Sequence, residues 1–290
     1  GAVHPDAGEV RFNGHPVDIR GPQQARALGI SMVFQHFSLF DTLSVRGLSV
    51  ARADPFGTDL QDINLQLHAG EILGVAGVSG NGQRELLACL SGEDRRAPPG
   101  TIALASADVS TASAAQRRQL GLHFVPEERL GRGAVPSMSL ALNTLLTRSE
   151  PIERGWWINR SRLRSLAQGL IKRYDVRTGG PDSLAQSLSG GNLQKFIVGR
   201  EMDAQPSVLI VAQPTWGVDV GASAQIRAAL LALRDAGTAV LVISEELDEL
   251  FELADRLVVM SKGQLSPPMP RAQATTERIG QWMSGLWERT

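Results

Sequence analysis

Two short strings hold residue types suited to gripping an anion. Gly77-Val78-Ser79-Gly80-Asn81-Gly82-Gln83-Arg84 follows the apolar run Ile72–Ala76 and precedes a helical run at Glu85–Leu90. In a strand–glycine loop–helix context, backbone N–H groups turn toward a phosphate and the helix N-terminus adds partial positive charge. Two side chains are wrong for phosphoryl chemistry. Gln83 stands where a lysine would reach the β- and γ-phosphates, and Arg84 where a hydroxyl would hold Mg²⁺. Losing one charge-assisted hydrogen bond costs about 1.5–3 kcal/mol, so nucleotide would bind through the backbone, more weakly. Taken alone, the same string also reads as an ordinary glycine turn. The second string, Leu188-Ser189-Gly190-Gly191-Asn192-Leu193-Gln194-Lys195, precedes another helical run and offers a hydroxyl and backbone N–H groups as donors. Downstream, Val208–Val211 runs into Ala212-Gln213-Pro214-Thr215, Gly217-Val218-Asp219 opens a helix, and Ser244-Glu245-Glu246 ends a strand.

The surrounding elements alternate as an α/β domain with a largely parallel sheet requires. Val208–Ala212 and Ala239–Ile243 are short apolar runs rich in β-branched residues, the pattern of strands buried on both faces. Between them, Ala222–Ala236 carries helical spacing at Ile226, Leu230 and Leu233, with Gly237 placed to end it. Leu257–Met260 followed by Lys262–Leu265 predicts a hairpin.

Composition narrows the function classes. The 290 residues carry 29 Lys and Arg against 30 Asp and Glu, a net charge of −1, which argues against a surface built to track nucleic acid. Arg117-Arg118 and Arg129/Arg132 therefore read as a solvated face. A single cysteine, Cys89, rules out an intramolecular disulfide and a cysteine-rich zinc site. The five histidines, His4, His15, His36, His68 and His123, lack metal-ligand spacing, and no metal site is assigned to them. The apolar runs are too short to span a bilayer, and the first residues lack a signal-peptide layout. The expectation is a soluble, cytosolic protein whose membrane role is exercised through a partner.

An internal repeat divides the chain. Gly8-Glu9-Val10 matches Gly100-Thr101-Ile102, Leu28-Gly29-Ile30 matches Leu120-Gly121-Leu122, and Val33-Phe34-Gln35 matches Val125-Pro126-Glu127. One offset of 92 residues separates all three pairs. A fresh strand is expected near Val45–Val50. Residues 1–45 then read as the middle slice of one domain joined to a nearly whole second one. An N-terminal extension packed on the main domain is the other reading.

With these motifs in order, the chain resembles the ATP-binding subunit of ATP-binding-cassette (ABC) importers, of the tandem-cassette type serving simple sugars and nucleosides. The Leu188–Lys195 signature is the most specific match. The P-loop shape, the strand ending Ala212–Thr215, the Gly217–Asp219 D-loop and the closing Ile279-Gly280 and Met283–Gly285 support it. Met32–Phe37, Gly80–Gln83 and Ala212–Pro214 look more nucleoside-type than ribose-type. The implied fold is α/β, a P-loop NTPase-like cassette with a mainly parallel core sheet, an antiparallel β-subdomain and a helical subdomain. The implied domains are a partial first cassette at 1–45, a second, degenerate cassette at 46–270 and a helical tail at 271–290.

The resemblance implies ATP held between the P-loop of one cassette and the signature of another, head to tail. It assigns Gly77, Val78, Ser79, Gly80, Asn81, Gly82, Gln83 and Arg84 to this cassette's own nucleotide. Ser189, Gly190, Gly191, Asn192 and Asp219 go to the nucleotide of the opposite cassette. The Walker B aspartate and the following glutamate appear as Ala212 and Gln213, and the switch histidine as Glu245. Alanine offers no oxygen, a neutral amide is a poor proton acceptor, and a carboxylate would repel a γ-phosphate. The Q-loop glutamine is Gln35 in the first copy and Glu127 in the second. ATP is the implied ligand, with Mg²⁺ at the competent composite site and poorly supported at this P-loop. The implied partners are membrane permease subunits, met through the Q-loop and helical subdomain, a second cassette and, indirectly, an extracytoplasmic solute-binding protein. The implied place is peripheral, at the cytoplasmic face of the membrane. Phe56 is a candidate for stacking on adenine or a plain exposed loop residue. Trp216 is a candidate contact to the opposite cassette or a cover for the core. Residues 138–180, with Trp156-Trp157 and Tyr174, look like the helical subdomain. This polypeptide alone is expected to turn over almost no ATP.

Overall fold

The computed structural model describes Gly8 and residues 10–17, 41–148, 153–154 and 157–287. Two units separate, residues 1–39 and 40–290. In the first, β1 (Val10–Phe12) and β2 (His15–Val17) pair as an antiparallel hairpin. Its turn holds Asn13 and Gly14 at φ 52° and 81°, the left-handed pair that a two-residue hairpin turn favours.

The second unit begins with β3 (Asp41–Val50), which pairs antiparallel with β4 (Leu60–His68). The strand thus starts several residues before the expected Val45, and residues 41–45 belong to this unit's sheet. Next come β5 (Ile72–Ala76), α1 (Gln83–Ser91), β6 (Ile102–Leu104) and β7 (Ala107–Asp108). The antiparallel sheet has the order β4-β3-β6-β7. Its last hairpin turns through Ala105 and Ser106 at φ 47° and 72°. That hairpin lies 92 residues beyond the β1–β2 hairpin and shares its turn geometry, so the repeat is structural at the hairpin, while residues 28–30 and 33–35 lie outside the described residues.

The chain continues through α2 (Ala114–Gln119), β8 (Leu122–Val125), α3 (Leu140–Leu145), β9 (Glu153–Arg154), β10 (Trp157–Ile158), α4 (Arg160–Arg173) and α5 (Gly190–Asp203). Then follow β11 (Val208–Ala212), α6 (Val220–Asp235), β12 (Ala239–Ile243), α7 (Leu247–Leu253), β13 (Arg256–Ser261), β14 (Gln264–Leu265), β15 (Met269–Pro270) and α8 (Thr276–Met283). The central sheet has the order β14-β13-β5-β12-β11-β8, with β15 also on β13. Its inner pairs are parallel, and β14 and β15 join antiparallel.

The period of two sorts the strand side chains into two cores. Leu209, Val211, Val240 and Val242 enter the core with α5, α6, α7 and α8. Val208, Ile210, Leu241 and Ile243 face the other way, into the core with α1 and the inward residues of β3 and β4, such as Leu43 and Ile63. Burying one such side chain is worth about 1.5–3 kcal/mol, which explains why these strands read as unbroken apolar runs. In α8, Ile279 and Trp282 enter the first core, so the tail is built into the cassette. The region 138–180 supplies α3 and α4, whose Ala141, Leu163 and Ala167 make a small core of their own. Trp156 lies outside the described residues. Among the described residues, no helix is long and apolar enough to cross a membrane.

Candidate functional site

The glycine string joins β5 to α1, at the strand-to-helix junction the sequence demanded. Gly80 and Gly82 take φ 83° and 110°, conformations that glycine adopts without steric cost. A Cβ on Gly82 would stand 2.8 Å from the Met260 methyl, so this position requires glycine twice over. The loop is clamped from outside. Lys262 N–H donates to Asn81 Oδ1 at 2.8 Å, Gly263 N–H to Asn81 O at 2.8 Å, and Thr58 Oγ1 to Gly80 O at 2.7 Å.

A small cleft has Gly77, Ser79, Gly80, Gln83 and Arg84 along one wall. Glu127, Ala212, Gln213, Ser244 and Glu245 complete it. Parallel pairing of β5, β12, β11 and β8 gathers their C-terminal ends, and these residues leave from those ends. Residues 77–84, 127, 213 and 245, dispersed over the sequence, therefore meet. Gln213 leaves β11 at φ 47°. Its carboxamide oxygen accepts the Glu245 N–H at 3.3 Å and lies 3.5 Å from Ser244 Oγ. Behind it, Thr215 Oγ1 donates to the buried Glu249 at 2.5 Å, and burial raises that carboxyl above the ordinary glutamate range.

The second string starts α5, with Ser189 as its N-cap. Ser189 and Gly190 are exposed, and Asn192 is half-buried. Asn192 donates from Nδ2 to Ser189 Oγ at 2.9 Å and accepts the Arg177 N–H at 2.8 Å, which fixes the hydroxyl as an acceptor and leaves its proton free. Asp219 caps α6 by accepting the Ala222 N–H at 2.9 Å, and this backbone donation holds its carboxyl below the ordinary range. A Cβ on Gly191 would stand 3.4 Å from Asp219 Oδ2, so the lip and the Gly217–Asp219 turn are in contact. None of these residues lines the cleft of residues 77–84. The glycine string and the second string, a cradle and a lip, therefore do not share that cleft. Gln35 lies outside the described residues.

The scan against family models matches residues 60–216 to the ABC transporter model. The chain belongs to the ABC transporter family. The cassette is 36% identical over 251 residues to the guanosine import ATP-binding protein NupO of Bacillus subtilis, covering 86% of this chain and 49% of that one. It is 37% identical to the glucose import ATP-binding protein TsgD13 of Haloferax volcanii, covering 85% and 46%. The nucleoside import ATP-binding protein NupA of Lactococcus lactis matches at 38%, over 78% and 45%. The chain thus spans about half the length of these relatives. A solved nucleotide-free cassette from an ABC transporter superposes with TM-score 0.68 at 20% identity, over 84% of this chain and 96% of that one.

The cassette corrects the reading of its arginines. Arg117 is fully buried and donates to the carbonyls of Leu90, Ser110 and Ala112 at 2.7, 3.1 and 3.1 Å, and to that of Cys89. Arg118 pairs with the buried Glu201 at 2.6 Å, whereas Arg132 stays exposed as read, paired with Glu93 and Glu128. A run of arginines becomes a solvated face only where no carbonyls or carboxylates await it, and here the fold supplies both. Phe56, 96% exposed, sits in the loop before β4. Arg129 and Gln194 take a role at the second string that the sequence reading did not assign them. Arg129 Nε donates to Gln194 Oε1 at 3.1 Å, Gln194 Nε2 to Pro214 O at 3.0 Å, and Arg129 also bonds Trp216 O.

Proposed function

We propose that the full-length protein is the ATP-binding, energy-coupling subunit of an ABC importer of nucleosides or simple sugars. This chain is mostly its second cassette, with residues 1–39 a slice of the first. The observation that carries this reading is the asymmetry between the half-sites. Ser189 and Gly190 stand exposed and Gly191 half-buried at the start of α5, while β11 delivers Ala212 and Gln213 to the cradle. The lip keeps its donors for the γ-phosphate of a nucleotide held by an opposing cassette. The cradle lacks the side chains for hydrolysis.

The residues of the cradle do not fit Mg²⁺. Ala212 offers no oxygen, and Arg84 puts a cation where a ligand hydroxyl is needed. Among the described residues, no group of three or more His, Cys, Asp or Glu is arranged for a metal ion. Gln213 is too weak a base to take a proton from water, and Glu245 sets a negative charge beside an incoming phosphate. The remaining groups bind and orient. The loop N–H groups and the α1 N-terminus hold phosphate, and Glu127 and the helical subdomain face the permease. The partners are then two membrane permease subunits, a competent cassette opposed head to tail and, through the permease, an extracytoplasmic solute-binding protein. The assembly sits peripherally at the cytoplasmic face of the membrane. The relatives named for guanosine, nucleoside and glucose import support this solute class.

For the chain by itself, the absent Walker B oxygen favours the narrower reading of a cassette that binds nucleotide without cleaving it. The test measures ATP binding and phosphate release by the chain alone, then with a competent cassette carrying Gly-Lys-Ser/Thr and Asp-Glu motifs. Binding without turnover is expected alone, and turnover that falls on Ser189→Arg is expected in the mixture. Transporter-level turnover by the chain alone would refute the assignment.

A further inference from the structure

The side chain of Gln83 folds back into its own loop. Its Oε1 accepts the Asn81 N–H at 3.1 Å, and its Nε2 donates to Val78 O at 3.0 Å. Asn81 Nδ2 donates to the same Val78 oxygen at 2.9 Å. A Cβ placed on Gly77 would stand 2.6 Å from Gln83 Nε2, so the carboxamide lies directly against the first glycine of the cradle. The loop frame is held from outside by Thr58, Lys262 and Gly263, while its interior is closed by this one amide.

We infer that Gln83 is an internal stand-in for a phosphate oxygen, a specificity-determining plug that nucleotide must displace from the cradle. This rests on the reading that the cradle takes nucleotide. The Asn81 N–H is a loop donor that an anion could use, and the Gln83 carbonyl now takes it. A neutral carboxamide is about half as strong an acceptor as an ionised oxygen, so phosphate outcompetes it while sacrificing both of its bonds. Further donors remain, because the first N–H groups of α1 have no intrahelical acceptor. Arg84, the only cation among the cleft-lining residues, draws the anion in. Gln83 thus lowers affinity by competing, which is a different effect from merely lacking a lysine's charge. Removing its side chain should strengthen binding rather than weaken it.

The test titrates the whole chain with a fluorescent ATP analogue, with pyrophosphate as competitor. It compares the unaltered protein with Gln83→Ala, Gln83→Asn and Gln83→Lys, after thermal unfolding has confirmed that each variant folds. Gln83→Ala should bind at least threefold more tightly. Gln83→Asn, one methylene too short to reach the Asn81 amide, should do likewise and serves if the alanine variant is unstable. Hydrogen exchange should show the Asn81 amide protected in the unaltered protein and exposed in Gln83→Ala. Equal or weaker binding by both Gln83→Ala and Gln83→Asn, with tighter binding by Gln83→Lys, overturns the plug and leaves the nucleotide cleft standing. Failure of all four proteins to bind overturns the cleft and the plug together.

Discussion

His123 Nδ1 lies 2.9 Å from Glu201 Oε2, joining the middle of β8 to the last turn of α5 inside the protein. Arg118 donates to the same oxygen at 2.6 Å, and Arg200 Nε to Oε1 at 2.8 Å. Arg200 in turn holds Asn143 O at 3.1 Å and Gly133 O at 2.8 Å. The helix that begins at the Ser189 lip is thereby bolted to the strand that leads to Glu127.

Burial opposes the Glu201 charge, but Arg200, His123 and Arg118 outweigh it and hold the carboxyl at about 2, below its ordinary 4.5. A depressed carboxyl contributes stability that is complete above its unfolded value and lost as pH falls through the folded one. Melting temperature should therefore drop between pH 4.5 and 2, and Glu201→Gln should flatten that drop. At pH 7, Glu201→Ala should cost about 3–5 kcal/mol, because it strands buried cations. Denaturant unfolding of the variants across this pH range checks both statements.

Arg117→Ala should destabilise by at least about 3 kcal/mol. The substitution orphans the carbonyls of Cys89, Leu90, Ser110 and Ala112, at about 1–3 kcal/mol for each buried group left unpaired. Arg117→Lys should recover only part of the loss, since one ammonium cannot span four acceptors set in a fork. Urea midpoints of the two variants measure the difference.

Cys89 should ignore thiol reagents until the protein unfolds. It is fully buried, and desolvation, with the nearby Asp94 charge, pushes its thiol up to about 11. Colorimetric thiol titration at pH 8 should read near zero in buffer and one equivalent in denaturant. Rapid labelling of the folded protein would contradict the packing around α1.

Arg129→Ala should loosen the signature lip without unfolding the chain. The guanidinium braces Gln194 and Trp216 together and lies 5.9 Å from the Trp216 ring. Hydrogen exchange at residues 188–192 and 214–218 should quicken, while the central strands stay protected. Arg129→Lys should behave much like alanine, because lysine lacks the fork that reaches two partners at once. Unchanged exchange in both segments would remove Arg129 from any role at the lip.

Much of this was legible in the chain. Val208–Ala212 and Ala239–Ile243 announced themselves as doubly buried strands, because no polar side chain interrupts them. The turn at Gly77–Arg84 followed from glycines set between a strand and a helix. The hairpin at residues 257–265 appears in the structure as read, and of the 92-residue repeat the described residues show the hairpin pair alone. Misreadings fell on residues whose partners are far away in sequence. Arg117 and Arg118 looked solvated because the Cys89 carbonyl and the Glu201 carboxylate lie 28 and 83 residues from them. The first strand of the larger unit began at Asp41 because its sheet neighbours, not its own composition, set where pairing starts.

Local order, by itself, determined which residues form the cradle and the lip, and that the cradle lacks a lysine, a metal-binding acid and a base. Those are properties of residue type and spacing along a few consecutive positions. Only the tertiary structure decided that Gly77, Ser79, Gly80, Gln83 and Arg84 share one cleft with Glu127, Gln213 and Glu245, while residues 189–191 and 219 lie outside it. Only it showed that Gln83 fills its own loop. The reason is that parallel pairing brings the ends of distant strands to one edge, and a side chain's destination depends on which acceptors the fold leaves within its reach.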